Sequence, residues 1–567
     1  IRVRILESAA QQINRRLTSQ AIVCRPAPGL TCAHIDPRLA RQRKAISTQQ
    51  GAGTRSRFSR HDGLRLRGLI PGTMPNTTVI TLTFAGYILV MLLIGLAGYR
   101  RTGNLSDYLL GGRQLGRWVT ALSAEASDMS GWLLLGLPGY AYLSGLEAGW
   151  IALGLLVGTY LNWKLVAFRL RQYTQLAGDA LTLPEFFEQR FADQSRLLRV
   201  VAALLVLLFF TFYTSSGLVA SGKLFEAVFG IEYHVAIVAG ALVVVAYTFF
   251  GGFLAVSWTD LVQGLLMLVA LVAVPVAVME SSGGLQSSVA GLREHSPALL
   301  DPFSTAGGEP LGLVAILSLL GWGLGYFGQP HILARFMAIR RVQELAAARA
   351  IAVTWVSVTL IAAVLVGVMA VGYLDTPLTG ADSEKVFMEM VRILFHPLVA
   401  GVCLAAILAA IMSTADSQLL VASAALSEDF YKAFLRPRAG AAELVWMGRL
   451  AVLVLAAVAI VLAMDPDNRV LDLVAYAWAG FGAAFGPTVL LSLYWGRMNR
   501  FGALAGMLVG ASTVIVWKQL AAGPFGLFDL YEIIPGFVLS AAAILLVSLI
   551  TPPPAPRIRQ QFDNLYG

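Results

Sequence analysis

Charged side chains are scarce in this sequence. Asp, Glu, Lys and Arg make up only 13% of its 567 residues, against about a quarter in soluble domains. Apolar residues reach 57% and mean hydropathy is +0.70. That balance excludes an ordinary soluble domain and points to an all-α polytopic membrane protein in contact with lipid. Cysteine is nearly absent. Cys24, Cys32 and Cys403 make neither a metal spacing nor a disulfide framework. The six histidines (His34, His61, His234, His295, His331 and His396) are scattered and lack zinc-ligand spacing. There is no G-x-x-x-x-G-K-[ST] phosphate loop, so ATP-driven transport has no support. No catalytic constellation and no cofactor motif occur either, which argues against an enzyme.

The net charge of +9 is unevenly placed. Residues 1–73 hold thirteen Arg and one Lys against Glu7, Asp36 and Asp62, which leaves about −2 for the other 494 residues. Nothing basic remains to suggest nucleic acid. Residues 1–73 also lack apolar periodicity and a signal-peptide core. They read as sequence upstream of a start at Met74, ahead of a disordered tail or a small regulatory domain.

After Met74 the sequence predicts about 13 transmembrane helices, at about 20 residues per crossing. They lie near 79–99, 118–143, 147–168, 197–221, 233–252, 260–279, 311–330, 351–374, 397–424, 446–464, 472–495, 502–520 and 533–551. Residues 552–567 form a short tail. Arg100, Arg101, Arg113 and Arg117 follow the first segment, and Arg or Lys clusters follow the third, seventh, ninth and eleventh. The alternate loops are acidic or sparse. The positive-inside rule then places the odd-numbered exits and the C-terminus in the cytoplasm, with the N-terminus outside.

Three stretches carry the chemistry. In TALSAEASDMSGWLLLGLPGY, residues 120–140, Glu125 and Asp128 stand among small residues ahead of Gly131, Gly136 and Pro138. A carboxylate within a bilayer usually faces a cavity or an ion path. A helix broken there frees backbone carbonyls, and oxygens are what a hard cation such as sodium needs. The competing reading is a core helix with a buried, hydrogen-bonded Asp. In GWGLGYFGQPH, residues 321–331, four glycines precede Pro330 and predict a second unwound segment. Glycines that only allow close helix packing are the alternative. Trp322, Tyr326 and Phe327 offer an aromatic wall for a small organic substrate, though aromatics at helical spacing are also ordinary core. In AAILAAIMSTADSQLL, residues 405–420, Ala410, Ser413 and Thr414 share one helical face. Hydroxyls bonded back to their own helix are the plainer reading. The two interrupted segments lie five spans apart and predict inverted repeats over spans 2–6 and 7–11. Tyr213 has either a cavity or a packing role. Asp260, three residues after Ser257, has capping-box spacing and so could simply start a helix. Asp416 is a further intramembrane acid without an assigned role. The glycines of AGFGAAFGP, residues 479–487, suit close packing or a moving gate.

Together SAEASDMSGWLLLGLPG, GGFLAVSWTD, GWGLGYFGQPHILARFMA, AAIMSTADSQLL and AYAWAGFGAAFGP resemble the sodium–solute symporter family, and within it the proline-transporting branch. The resemblance runs from about Met74 to the last span. It implies a LeuT-like fold of two inverted five-helix repeats, with one helix before and two after. It implies sodium held by the backbone of Ala126, Met129 and Ala410 and the hydroxyls of Ser413 and Thr414. Asp128 would be the acid needed for sodium coupling, with Ser130 and Gly131 its neighbours at the break. Tyr213, Trp322, Tyr326 and Pro330, with Gly131, would serve proline binding, and Arg113 and Asp260 would affect transport. Glu125 stands where some members carry glycine. The resemblance thus implies symport of L-proline with sodium as the only metal, in the cell membrane. Another small solute is the alternative within the family. A transporter-like sensor would need a signalling domain that the short tail does not supply, and a passive channel does not need two broken helices around one site. No obligate protein partner is indicated.

Overall fold

The computed structural model describes residues 76–100, 105–250, 252–374, 376–520 and 523–566. The expectation for residues 1–73 lies outside the described residues. In a bilayer every backbone polar group must be satisfied within the chain, so long apolar stretches become helices. Among the described residues there is no strand, only the isolated bridges Leu115 to Ile339 and Ser304 to Pro310.

The helices used below are α1 (Asn76–Tyr99), α2 (Arg117–Asp128), α3 (Leu137–Ser144), α4 (Gly149–Leu161), α5 (Leu197–Phe229), α6 (Tyr233–Phe250) and α7 (Phe253–Ser281). They continue with α8 (Leu313–Gly321), α9 (Pro330–Ala338), α10 (Leu345–Ala370), α11 (Pro397–Ala424), α12 (Ala441–Leu462), α13 (Val470–Tyr494), α14 (Arg500–Trp517) and α15 (Ile533–Ile550). The broken pair α2/α3 opens a set of five crossings that ends at α7. The broken pair α8/α9 opens a second set that ends at α13. Helix α1 precedes both sets, and α14 and α15 follow.

Each of the thirteen predicted segments falls on helical residues. By length and composition, however, ten helices among the described residues can cross a membrane, or eleven if the bent pair at 313–338 is one span. Three features lower the count. The half-helix α2 is short, α3 and α4 run together in one apolar stretch, and the apolar part of α6 is only Tyr233–Ala246.

Helix α11 forms the middle of the bundle. Over Pro397–Leu435, 83% of the most apolar window is buried, against 11% for α1. The outer helices turn bare apolar side chains outward, among them Leu89 and Leu93 of α1, Val461 of α12 and Ile550 of α15. Such a continuous apolar exterior suits lipid. Two backbone bonds tie the entry of α2 to the exit of α9: Leu115 N–H donates to Ala338 O at 3.2 Å and Arg340 N–H to Leu115 O at 3.0 Å. The two broken crossings thus meet at one end of the bundle. Pro556–Tyr566 is a helix, and its Phe562 ring lies 6.3 Å from Tyr173 and 5.1 Å from the Arg190 guanidinium.

Candidate functional site

Helix α2 ends at Asp128, and Met129 leaves helical geometry with ψ 74°. A helix that stops inside a membrane protein leaves carbonyls to be satisfied by other groups. The main-chain oxygen of Asp128 accepts from Ser130 N–H at 2.9 Å, Tyr213 Oη at 3.0 Å and Trp132 Nε1 at 3.1 Å. Tyr213 therefore holds the break, which gives it a role beyond general packing. Both carboxylate oxygens of Asp128 are buried without a hydrogen bond. The Tyr326 hydroxyl approaches Asp128 without a hydrogen bond of ordinary geometry.

On the next face, α2 packs against α11. Ser413 Oγ donates to Ala126 O at 2.7 Å and approaches Ala410 O at 3.2 Å, while Thr414 Oγ1 is 3.5 Å from Ala126 O. Four oxygens named from the sequence are thus brought together in a dry interface. A sodium-sized ion would replace the two hydroxyl-to-carbonyl bonds with ion–oxygen contacts, and the donor set is all oxygen, as a hard cation requires. The residues present fit the ion. Met129 lies at the break itself. Ser130 accepts from Trp132 N–H at 3.4 Å. Gly131 serves close approach: an added Cβ would sit 2.7 Å from Ala220 Cβ and 3.5 Å from Ile411 Cγ1.

The aromatic wall is only partly as expected. Trp322 lies 6.3 Å from Trp132 and 5.5 Å from Tyr531, and Tyr326 stands edge-on to Trp478 at 5.0 Å. Phe327 is not on this wall; its ring faces Phe537 of α15 at 6.3 Å. The segment Trp322–Gly328 is a tight 3-10 turn, and its glycines also pack closely. A Cβ at Gly325 would collide with the Trp478 indole, and one at Gly323 with the Gly154 carbonyl. Unwinding and close packing are therefore both present. Pro330 takes the first turn of α9, where its missing N–H costs nothing. It lines a small separate cavity of about 30 Å³ with Val206, Leu420 and Asp429, away from the contacts made by Asp128.

Asp260 corrects the sequence reading. Helix α7 starts at Phe253 behind Gly252, and Ser257 Oγ bonds back to Phe253 O at 2.7 Å. Asp260 therefore caps nothing. It pairs with Arg335 Nη2 at 3.1 Å and accepts from Ser123 Oγ at 2.6 Å. Arg335 also donates to Ser123 Oγ at 3.0 Å and Ser417 Oγ at 2.5 Å. All four side chains are fully buried, and Asp416 adds its field to Arg335. The group joins α2, α7, α9 and α11 beside the ion-sized oxygen cluster. Sequence reading missed Arg335 and counted it only as a loop charge. The signal was an Arg one turn inside a half-helix, with unpaired intramembrane acids elsewhere to receive it.

Arg113 lies outside the ion-sized cluster. It donates to Met337 O at 2.7 Å and Ala180 O at 2.8 Å, and meets Asp179 at 3.0 Å. Burial pushes its guanidinium below the ordinary value and Asp179 pulls it back up. Its place is a loop clamp at the exit of α9. A second buried pair, Lys223 with Glu384 at 2.6 Å, was also missed. Glu384 accepts from Val470 N–H at 3.0 Å and Leu471 N–H at 3.1 Å, so it holds the N-terminus of α13.

Two interrupted crossings around a buried oxygen cluster define a membrane transporter of the inverted-repeat class. A family model described as the sodium:solute symporter family matches residues 108–510. The chain belongs to that family and is a multi-pass membrane protein. It is similar to the sodium/proline symporter of Salmonella typhimurium strain LT2, 54% identical over 494 residues that cover 86% of this chain and 96% of that protein. It is also similar to the high-affinity proline transporter PutP of Bacillus subtilis strain 168, 51% identical over 475 residues, 84% of this chain and 98% of that one. Among solved structures, a sodium-coupled sialic acid symporter in a substrate-bound, outward-open state matches with TM-score 0.68 at 20% identity. It covers 84% of this chain and 99% of that one, and the likeness shows the LeuT-like fold.

Proposed function

We propose that this protein takes up L-proline by sodium-driven symport with alternating access, in the cell membrane, with its C-terminus in the cytoplasm. The observation that carries the reading is the meeting of Ser413, Thr414 and Ala410 on α11 with the Ala126 carbonyl of α2, next to a carboxylate that lacks a partner. The relatives' names supply the solute.

Sodium binds between α2 and α11 through the oxygens of Ala126, Met129, Ala410, Ser413 and Thr414. Asp128 supplies nearby negative charge. The bound ion replaces hydroxyl-to-carbonyl bonds that otherwise latch the two helices, and so fixes the break at 128–131. Proline's carboxylate then meets the start of the second half-helix, where the dipole favours an anion. Its ring packs on Trp322 and Tyr326. Binding of both favours closure on one side, and rocking of the two repeats opens the other. The Asp260–Arg335 group holds the ends of α2, α7, α9 and α11 together while that side is shut. No step in this account is enzymatic, and no cofactor is invoked.

Coupling between two ligands is reciprocal. Equilibrium binding to the purified protein tests this. Sodium should tighten proline binding, and proline should tighten sodium binding by the same factor. Proline binding that ignores sodium would contradict the reading.

A further inference from the structure

The second broken crossing leads into a closed passage. Half-helix α9 runs from the break toward the end of the bundle that loop charge assigns to the cytoplasm. Pro330 and Met337 of α9 line the cavity of about 30 Å³ on one side, and Leu420 of α11 lines it on another. From Pro330 to Met337 a helix rises about 10 Å, so the cavity follows α9 outward from the break. It has space for about two waters and none for a solute. Toward the bundle end it is walled by Thr182, Pro184 and Asp429.

Asp429 is fully buried. Its Oδ1 accepts from Thr182 Oγ1 at 2.8 Å and from Arg199 Nε at 2.7 Å, whereas Oδ2 is buried without a hydrogen bond. Arg199, near the start of α5, also donates through Nη1 to Glu188 Oε2 at 3.1 Å. Thr182 caps the short helix Leu183–Arg190 by accepting from Glu185 N–H at 3.1 Å. Rings fix that helix elsewhere: Phe186 stands edge-on to Tyr173 at 5.7 Å, and Phe187 stacks with Phe485 at 6.0 Å. Asp429 itself lies in Ala425–Leu435, where α11 continues in wider i→i+5 turns, a geometry frequent at functional sites.

Two kinds of contact therefore hold the short helix. Ring packing is lost outright when the rings part. A hydroxyl, a guanidinium and a carboxylate instead exchange one another for water at small net cost. The half-satisfied Asp429 gains most from that exchange, because water supplies the partner that its buried Oδ2 lacks. The contact that parts first is thus the one between Thr182 and Asp429. We propose that Asp429, with Thr182 and Arg199, is a latch on the cytoplasmic side. When the continuation of α11 leaves Thr182, the cavity along α9 opens to the cytoplasm. This rests on the alternating-access reading above. The latch shares no residue with the Asp260–Arg335 group and closes the same passage independently.

The test is thiol labelling of Leu420→Cys in the full chain, with Cys24 and Cys32 replaced by Ser and Cys403 buried. A membrane-impermeant reagent is applied to inside-out vesicles. Labelling should be slow while the latch is intact. Asp429→Asn and Thr182→Val should each speed it by about 10- to 100-fold, the worth of one charge-assisted hydrogen bond. The double variant should be no faster than Asp429→Asn alone, because both changes act at one junction. Ala459→Cys, buried in α12 outside the cavity lining, reports general loosening, and its labelling should not change. Unchanged labelling at Leu420→Cys, or equal acceleration at Ala459→Cys, overturns the proposal. Acceleration seen only in right-side-out vesicles overturns it too. Failure of sodium-driven proline uptake while labelling still responds would sink the solute assignment and leave the latch standing.

Discussion

Ser413 and Thr414 each offer one hydroxyl to a neighbouring helix, and at this scale the account is most exposed. If both hydroxyls hold sodium, Ser413→Ala or Thr414→Ala should raise the sodium concentration for half-maximal proline uptake by about 10- to 100-fold, the worth of one charge-assisted contact. Maximal uptake at saturating sodium should change far less. Asp128→Asn should remove sodium-dependent uptake while leaving the protein folded, because a neutral amide in a dry pocket is less costly than an unpaired carboxylate. Full sodium-dependent uptake by that variant would remove Asp128 from the mechanism. Asp260 and Arg335 give a different signature. Either single change, Asp260→Ala or Arg335→Ala, leaves one buried charge alone and should cost about 3–5 kcal/mol of stability. The double change should recover much of that in thermal unfolding of the purified protein. The hydroxyls were legible in the sequence because i, i+3 and i+4 neighbours on a helix share a face. Arg335 was not, since its partners Ser123, Asp260 and Ser417 lie on three other helices.

At the level of the element, the two interrupted helices organise the site. Their glycines could be read as helix breakers from sequence alone, and the breaks fall where expected, after Asp128 and over Trp322–Gly328. What sequence could not give is what lies across from each glycine. Gly131 faces Ala220 of α5, and Gly325 faces the Trp478 indole. Gly131→Ala and Gly325→Ala should therefore each overpack the core and cost about 1–3 kcal/mol. Gly325→Ala should also reduce proline affinity, because Trp478 carries the edge of Tyr326 and donates to Trp322 O at 2.7 Å. Binding titrations alongside melting curves separate the two effects. Phe327 shows the limit of pattern reading. A 3-10 turn advances differently from an α-helix, so three aromatics that look like one wall in sequence turn to different neighbours.

For the whole molecule, the repeat boundaries were legible because the breaks recur five spans apart. The number of crossings was less so. Apolar length counts neither a half-helix such as α2 nor the short apolar run of α6. Orientation follows from loop charge and has a direct check. With Cys24 and Cys32 replaced by Ser and Cys403 buried, a Gln286→Cys variant should react with a membrane-impermeant thiol reagent in intact cells. An Arg438→Cys variant should react only after the membrane is opened. The reverse pattern would invert the topology and with it the direction of the proposed uptake.

The central claim is that a sodium gradient drives proline across this bundle. Radiolabelled proline uptake into proteoliposomes, with and without an inward sodium gradient, tests it most directly. The account predicts accumulation above the external concentration only with the gradient, and its collapse when a sodium ionophore is added. Equilibration to the external level regardless of sodium, or no proline entry by a folded protein, would contradict it.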